Sequence, residues 1–379
     1  MTTTISTSET IDTSDTLNTE SAQAPSRPDR SFTALPIIDI SGLQSEQLSD
    51  RQAVAQQLAE AARHVGFFYV SGHGIDPALI AGLREAARQF FSLPFEHKMQ
   101  HYIGQSQSHK GFVPEGEEVY SQGKPDHKEA FDIGFETPLD HPLVQAGTPL
   151  IGGNEWPDLP DFKAQVNAYY EAVFAMGRRL FSGFALALGL DEHDFDHLIT
   201  CPPSKLRLIH YPYDDSAEDS PGIGAHTDYE CFTMLLADQA GLEVMNDQGV
   251  WIDAPPQRVN GEEAFVINVG DMLEIMTAGL FPATSHRVRK VKTERYSFPL
   301  FFACDYHTQI KPLPQFVAAS SHAEDYDTTS IGDHMWAQAL QTYRYLNQQL
   351  KNGERHLPEY ARKPGSFGHL KTHSTVSGR

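Results

Sequence analysis

Two features of this 379-residue chain place metal-binding side chain types within reach of one another: the triplet His226-Thr-Asp228 and, 58 residues past the aspartate, His286. In a strand, residues i and i+2 project from one face, so the imidazole of His226 and the carboxylate of Asp228 can grip one ion while Thr227 points away. Alone the triplet is a weak signal. Random placement of 18 His and 50 acidic residues in the chain yields roughly 2.4 His-x-acid triplets, and the sequence holds three, the others being His127-Lys-Glu129 and His322-Ala-Glu324. The setting favours the middle one, which follows Pro221-Gly-Ile-Gly-Ala225 and leads into the strand pattern Phe232–Ala237, at the mouth of a β scaffold. Two imidazoles and one carboxylate on one face form the triad of non-haem iron(II) oxygenases, which leaves positions open for substrate and O2. The other reading of His286 is an ordinary strand-end histidine in a basic segment.

Nine residues after His286, Arg295-Tyr-Ser297 opens another strand pattern. Arg295 and Ser297 share a face and Tyr296 takes the other. A guanidinium clamps a carboxylate with parallel hydrogen bonds, and a hydroxyl beside it adds one more, so this pair suits an acid. Around it lies a positive island of Arg287, Arg289, Lys290, Lys292 and Arg295 against Glu294 alone. For Arg289, Lys290 and Lys292 a solvated strand edge blunted by charge accounts for the pattern. Arg295 runs into Phe298-Pro-Leu-Phe-Phe302, which argues for an inward side chain.

The elements that must carry these groups change period along the chain. Leu35–Ile40 is a short strand, Ser45–His64 an amphipathic helix, Phe67–Val70 a buried strand, and Asp76-Pro77 caps a helix to about Phe91. Lys98 to Pro160 reads as loop-rich, and Asp161 starts a long apolar helix ending at Gly189. From Lys205 the period becomes two. Leu206–Tyr211, Phe232–Ala237, Leu242–Met245, Val250–Asp253, Ala264–Val269, His286–Val291 and Tyr296–Cys304 are strands parted by Gly, Pro, Asp and Asn turns, and a helix covers about Ile331 to Leu350. This is a mainly β protein with flanking helices: a double-stranded β-helix, or jelly roll, behind a helical N-terminal portion. The expected divisions are a disordered tail at 1–32, a helical and mixed portion at 33–200, the jelly-roll core at 201–310, a C-terminal segment and helix at 311–362, and a tail at 363–379.

Composition bounds the partners. With 29 Lys and Arg against 50 Asp and Glu, the formal charge of −21 opposes general attraction to nucleic acid or anionic lipid. No apolar run reaches the roughly 18 residues of a membrane span. Cys201, Cys231 and Cys304 form no paired framework and no CxxC cluster, pointing to a reducing compartment, the cytoplasm by default. Oligomeric state is not legible.

Together, the segment from Leu206 to Tyr306, Leu35-Pro-Ile-Ile-Asp-Ile40 and Gly66-Phe-Phe-Tyr-Val-Ser-Gly-His-Gly74 resemble the isopenicillin N synthase-like family of iron(II) and 2-oxoglutarate-dependent oxygenases. The resemblance implies that His226, Asp228 and His286 ligate iron(II). It also implies that Arg295, Ser297 and Tyr211 hold the distal carboxylate of 2-oxoglutarate. Val266-Ile-Asn-Val-Gly-Asp271 matches the strand and turn between the ligands, whereas Ile209 stands where plant members commonly have asparagine. The implied activity oxidises a small organic metabolite by hydroxylation, desaturation or cyclisation, with succinate and CO2 formed from 2-oxoglutarate and O2. In isopenicillin N synthase itself the Arg-x-Ser pair binds a substrate carboxylate, so an iron(II)/O2 oxidase is one alternative and a non-catalytic ligand-binding jelly roll another. Phe112, Tyr213, Tyr229 and Phe302 are the candidate substrate-contacting residues, with His109 to Tyr120 and the final helix as further walls.

Overall fold

A computed structural model describes residues 30–119, 126–212, 222–289, 293–317 and 328–359. In chain order its strands are β1 (Ile37–Asp39), β2 (Phe67–Ser71), β3 (Gly111–Val113), β4 (Glu129–Gly134), β5 (Lys205–Tyr211), β6 (Ile223–His226), β7 (Phe232–Ala237), β8 (Leu242–Met245), β9 (Trp251–Asp253), β10 (Arg258–Val259), β11 (Glu262–Glu263), β12 (Phe265–Val269), β13 (His286–Val288), β14 (Arg295–Phe302), β15 (Gln309–Ile310) and β16 (Thr329–Ser330). The larger sheet runs β1-β2-β12-β7-β14-β5-β4-β3, antiparallel apart from β1 beside β2. The smaller runs β6-β13-β8-β9, antiparallel throughout. Side chains of both sheets line one cavity, so the sheets face each other as a jelly roll.

Strand alternation separates two cores. On β2, Phe68 and Val70 face the helices while Phe67 and Tyr69 pack between the sheets with Leu242, Val244 and Val266. The helical layer forms for reasons visible in the chain. Asp76 caps helix Pro77–Phe91 by accepting from Ala78 N at 2.8 Å, with proline in the first turn, and Ile80, Leu83, Ala87 and Phe90 make its buried stripe. Helix Phe162–Ala187 buries Val166, Tyr169, Val173, Leu180 and Phe184 and crosses β14 at Gly177, where a Cβ would come within 2.5 Å of the Phe302 ring. Asp161 precedes that helix in a left-handed conformation without a side-chain cap, so apolar burial rather than capping starts it. Gly66, at φ +75°, lets the chain turn into β2 against Pro282 and Thr284, whose Oγ1 would lie 2.3 Å from any Cβ.

The structure corrects two element expectations. The stretch Lys98–Pro160 is not merely loop: it supplies β3 and β4, which extend the larger sheet, because Glu129–Gly134 pairs residue for residue with Lys205–His210. The C-terminal helix is two helices, Ile331–Thr342 and Arg344–Lys351, broken at an extended Tyr343. The break is enforced from outside: Val119 N donates to Thr342 O, Arg344 N to Glu117 O, and the Tyr343 hydroxyl bonds Arg207. Of the tail at 1–32 only 30–32 are described, with Phe32 O accepting from Asn246 Nδ2 at 3.0 Å; the tail at 363–379 lies outside the described residues. No helix among the described residues is long and apolar enough to cross a membrane.

Candidate metal and cosubstrate site

His226 ends β6 and His286 begins β13, directly opposite each other in the register of the smaller sheet. Asp228 lies just beyond the strand, in the turn leading to β7, so the triplet's convergence comes from that turn and not from two positions on one strand face as the spacing suggested. The ligand atoms of the three residues lie within 4.8 Å of one another, and Asp228 Oδ1 is 3.6 Å from Nε2 of each imidazole. Both histidine–carboxylate separations are less than twice a metal–ligand bond of about 2.1 Å, so a single cation can bridge them.

Surrounding hydrogen bonds aim each donor. Nδ1 of His226 donates to Gly224 O at 2.8 Å and Nδ1 of His286 to Thr284 O at 3.2 Å, which leaves both Nε2 lone pairs toward the shared space. Asp228 Oδ2 accepts from Thr233 Oγ1 at 2.5 Å and Asn268 Nδ2 at 2.7 Å, leaving Oδ1 to face the imidazoles. Burial, reinforced by the nearby His286 ring, pushes the His226 imidazole down to about 4. Burial alone would raise the Asp228 carboxyl, but the two imidazoles and the Asn268 and Thr233 hydrogen bonds together hold it below its ordinary range. A neutral imidazole at His226 and an ionised carboxylate are the forms a divalent cation takes.

The turn itself is pinned by the motif that follows β12. Gly270 N donates to Cys231 O, Asp271 N to Asp228 O and Met272 N to Glu230 O, and a Cβ on Gly270 would sit 2.3 Å from the Glu230 carbonyl oxygen. Sequence reading missed Asn268 and Thr233. Asn268 had a signal, a single polar residue inside the otherwise apolar Phe265–Val269 run.

Arg295 and Tyr211 are cross-strand partners, and Ser297 lies two residues along the same face of β14. All three are about 1% exposed and line the cavity. The Arg295 guanidinium stacks 4.7 Å above the Tyr211 ring and Nε donates to Gln239 O, while buried Nη1 has no hydrogen-bond partner among the described residues. An orphaned guanidinium nitrogen facing a cavity is suited to an incoming carboxylate.

The substrate candidates divide. Tyr229 lines the cavity. Phe112 and Phe302 do not: both are fully buried against the helical layer, Phe112 near Phe90 and Phe95 and Phe302 stacked on Phe232 beside Phe174. Alternation explains the second case, since Arg295, Ser297, Pro299 and Phe301 occupy the cavity face and Phe302 must take the other. Tyr213 lies outside the described residues. Of the further walls, His109, Lys110 and Glu118 reach the cavity, as do Met335, Ala339 and Thr342 of the helix Ile331–Thr342, while Tyr120 lies outside the described residues. In the basic island, Arg287 pairs with Glu243 and Arg289 with Asp253, each at 2.6 Å. His127 bonds Glu115, and its triplet partner Glu129 pairs with Lys98 and His210, so that triplet makes no metal site.

Beyond the predicted set, Arg207 donates to both oxygens of Asp132 and to Glu118 Oε1, each at 2.7 Å, and Lys205 reaches Asp132 at 3.1 Å. Glu230 also lines the cavity. Burial, with the Asp228 charge behind it, pushes its carboxyl up to about 8.

The family described as non-haem dioxygenase in morphine synthesis N-terminal matches residues 35–159, and the 2OG-Fe(II) oxygenase superfamily matches residues 202–303. The 2-oxoglutarate-Fe(II) type oxidoreductase hxnY of Emericella nidulans is 33% identical over 322 residues, 82% of this chain and 91% of that protein. Homoarginine-6-hydroxylase 2-ODD-C23 of Glycine max is 33% identical over 330 residues, 82% of this chain and 98% of that protein. Among solved structures, full-length Neurospora crassa T7H in complex with alpha-KG superposes with a TM-score of 0.69 at 25% identity, covering 86% of this chain and 98% of that one. The dioxygenase for auxin oxidation in rice gives 0.62 at 26%, covering 87% and 99%. With residues 35–159 and 202–303 matched, a relative 33% identical over 82% of the chain, and His226, Asp228 and His286 opening onto the same cavity as Arg295, Ser297 and Tyr211, the chain belongs to the 2OG-Fe(II) oxygenase superfamily and is a dioxygenase that uses iron(II), 2-oxoglutarate and O2 on a small organic molecule.

Proposed function

We propose that His226, Asp228 and His286 hold the iron(II), that Arg295, Ser297 and Tyr211 hold the distal carboxylate of 2-oxoglutarate, and that Tyr229 forms part of the substrate wall. The observation carrying this reading is that both sets open onto one cavity of about 130 Å³. When bound there, iron(II) and 2-oxoglutarate would supply, with O2 as the oxidant, the oxidative decarboxylation to succinate and CO2 that drives oxidation of a substrate C–H bond. The chain's own residues do the rest. Two backbone carbonyls fix the imidazole tautomers, Thr233 and Asn268 hold one Asp228 oxygen so that the other faces the metal position, and Arg295 supplies a desolvated positive charge at the far end. Phe67, edge-on to His286 at 5.1 Å, walls the site with apolar surface.

The substrate is proposed to be a small organic metabolite, hydroxylated, desaturated or cyclised; relatives named homoarginine-6-hydroxylase, clavatol oxidase and auxin dioxygenase span that range. The net charge of −21 supports a free small molecule over a nucleic-acid or membrane-bound one. Three buried free cysteines accord with a reducing, cytoplasmic setting. Anaerobic addition of 2-oxoglutarate to the iron(II) protein should produce a visible metal-to-ligand charge-transfer band. In Arg295→Ala the same band should need roughly ten- to a hundred-fold more 2-oxoglutarate. Absence of the band from iron-loaded wild type, or an unchanged titration in the variant, overturns the assignment.

A further inference from the structure

One polar side chain on the cavity wall has no part in the iron and 2-oxoglutarate assignment and is held there at a cost. His109 is 3% exposed and lines the cavity, yet its backbone lies in the left-handed region at φ +55°, where a residue with a Cβ is strained. Its ring is wedged between Tyr343 and Trp336, with centroids 4.4 and 5.9 Å away. Nδ1 lies 2.6 Å from the Tyr345 hydroxyl, which has no other hydrogen-bond partner among the described residues and so donates its proton there, leaving the ring proton on Nε2. Burial, with the Lys205 and Arg207 charges behind it, holds this imidazole neutral, well below its ordinary range. Nε2 itself is buried and has no hydrogen-bond partner among the described residues. A buried N–H without an acceptor is costly, and a strained residue that carries one points to an oxygen arriving with a ligand.

The neighbours decide what kind of oxygen. Strand β5 turns Lys205, Arg207, Ile209 and Tyr211 toward the cavity. The Arg207 guanidinium is engaged by Asp132, Glu118 and Tyr343. Lys205 is less well matched. Its Nζ reaches only Asp132 Oδ2, at 3.1 Å, an oxygen that Arg207 already holds at 2.7 Å, so two of its three N–H groups have no acceptor among the described residues. A neutral N–H beside an ammonium with donors to spare suits the two oxygens of a carboxylate. The sheet register fixes where that anion would sit. Lys205 and Thr233 both pair with Phe301, so they share one row across the sheet, about 10 Å apart, and Thr233 holds Asp228. Tyr211, the partner of Arg295, lies at the other end of β5, about 20 Å from Lys205. An anion at Lys205 is therefore separate from the 2-oxoglutarate clamp and one short carbon chain from the metal position.

We propose that His109 and Lys205 set the substrate class of this dioxygenase, the Nε2–H of His109 and the ammonium of Lys205 together receiving a carboxylate of the small molecule to be oxidised. This rests on the iron and 2-oxoglutarate assignment above and adds the substrate class to it. Anchored at that end, the substrate presents a carbon along its chain to the iron.

The test is calorimetric titration of the anaerobic iron(II) protein, saturated with 2-oxoglutarate so that the Arg295 site is filled, with two matched pairs of probes: hexanoate with hexanamide, and phenylacetate with phenylacetamide. At least one acid should bind roughly ten- to a hundred-fold more tightly than its amide. In His109→Phe, which keeps an aromatic ring without the N–H, that preference should fall about ten-fold, and in Lys205→Met likewise. Asparagine tolerates the left-handed backbone and offers an N–H, so His109→Asn should restore part of the preference and serves where His109→Phe does not fold. Failure of both acids to bind, acids and amides binding alike, or a preference that survives intact in His109→Phe or in Lys205→Met, overturns the proposal. The charge-transfer band of each protein reports the iron and 2-oxoglutarate site separately, so its absence from wild type signals failure of the underlying assignment instead.

Discussion

At the scale of single residues, the site depends as much on side chains that orient the donors as on the donors themselves. Asp228 has two oxygens and only one faces the imidazoles; the other is taken by Thr233 and Asn268. Removing either partner leaves the carboxylate free to rotate and its charge less stabilised. Asn268→Ala and Thr233→Val should each weaken iron(II) binding by roughly 10- to 100-fold, measured by metal competition, without altering the far-UV circular dichroism. Asp228→Ala should go further, giving protein that retains no stoichiometric iron on desalting and no turnover; wild-type iron content in that variant would refute its role.

At the scale of elements, the turn from Thr227 to Cys231 is shaped by a neighbour distant in sequence. Gly270 approaches it so closely that any side chain there meets the Glu230 carbonyl oxygen at 2.3 Å, a backbone contact that no rotamer change relieves. Gly270→Ala should therefore displace the turn carrying Asp228, lowering iron(II) affinity along with the thermal midpoint, by about 1–3 kcal/mol of stability. At Gly189 a Cβ would meet nothing within 4 Å, but the backbone φ is +74°, so substitution there should cost stability through backbone strain and leave iron affinity unchanged. Comparing the two variants by metal titration separates site distortion from general destabilisation. The broken C-terminal helix makes a related point, since Tyr343 abandons helical geometry to bond Arg207 and let residues 117–119 pair alongside it.

At the scale of the whole molecule, a strongly acidic chain keeps a buried network of Arg207, Lys128, Glu118 and Asp132 near one side of the cavity. Asp126 sits at its margin, accepting from Gly224 N at 3.2 Å, with Oδ2 lacking a hydrogen bond among the described residues. Burial is the main cause that raises its carboxyl from 3.8 to about 7; Lys128 and Arg207 pull it down, and the Glu118 charge pushes it up. Because the folded value exceeds the unfolded one, the folded state keeps a proton that the unfolded chain loses. This contribution to stability is complete below about pH 4 and is lost as pH rises through about 7. Asp126→Asn should remove that decline, so the variant gains on wild type between pH 5 and pH 8 by at most about 4 kcal/mol, read from urea midpoints. An identical pH profile in the two proteins would count against a buried, protonated Asp126.

Chemistry-bearing residue types, their spacing and the switch from helical to strand period are all readable from the chain alone. These suffice for the cluster of His226, Asp228 and His286, the shared face of Arg295 and Ser297 and the jelly roll, because period-two alternation and short-range spacing are local properties. The same alternation, counted from Arg295, assigns Phe301 and not Phe302 to the cavity. The rest depends on segments far apart in sequence meeting. Phe112 joined the aromatic core, β3 and β4 emerged from apparent loop by pairing with β5, and Asn268 and Gly270 came to shape a turn some 40 residues earlier.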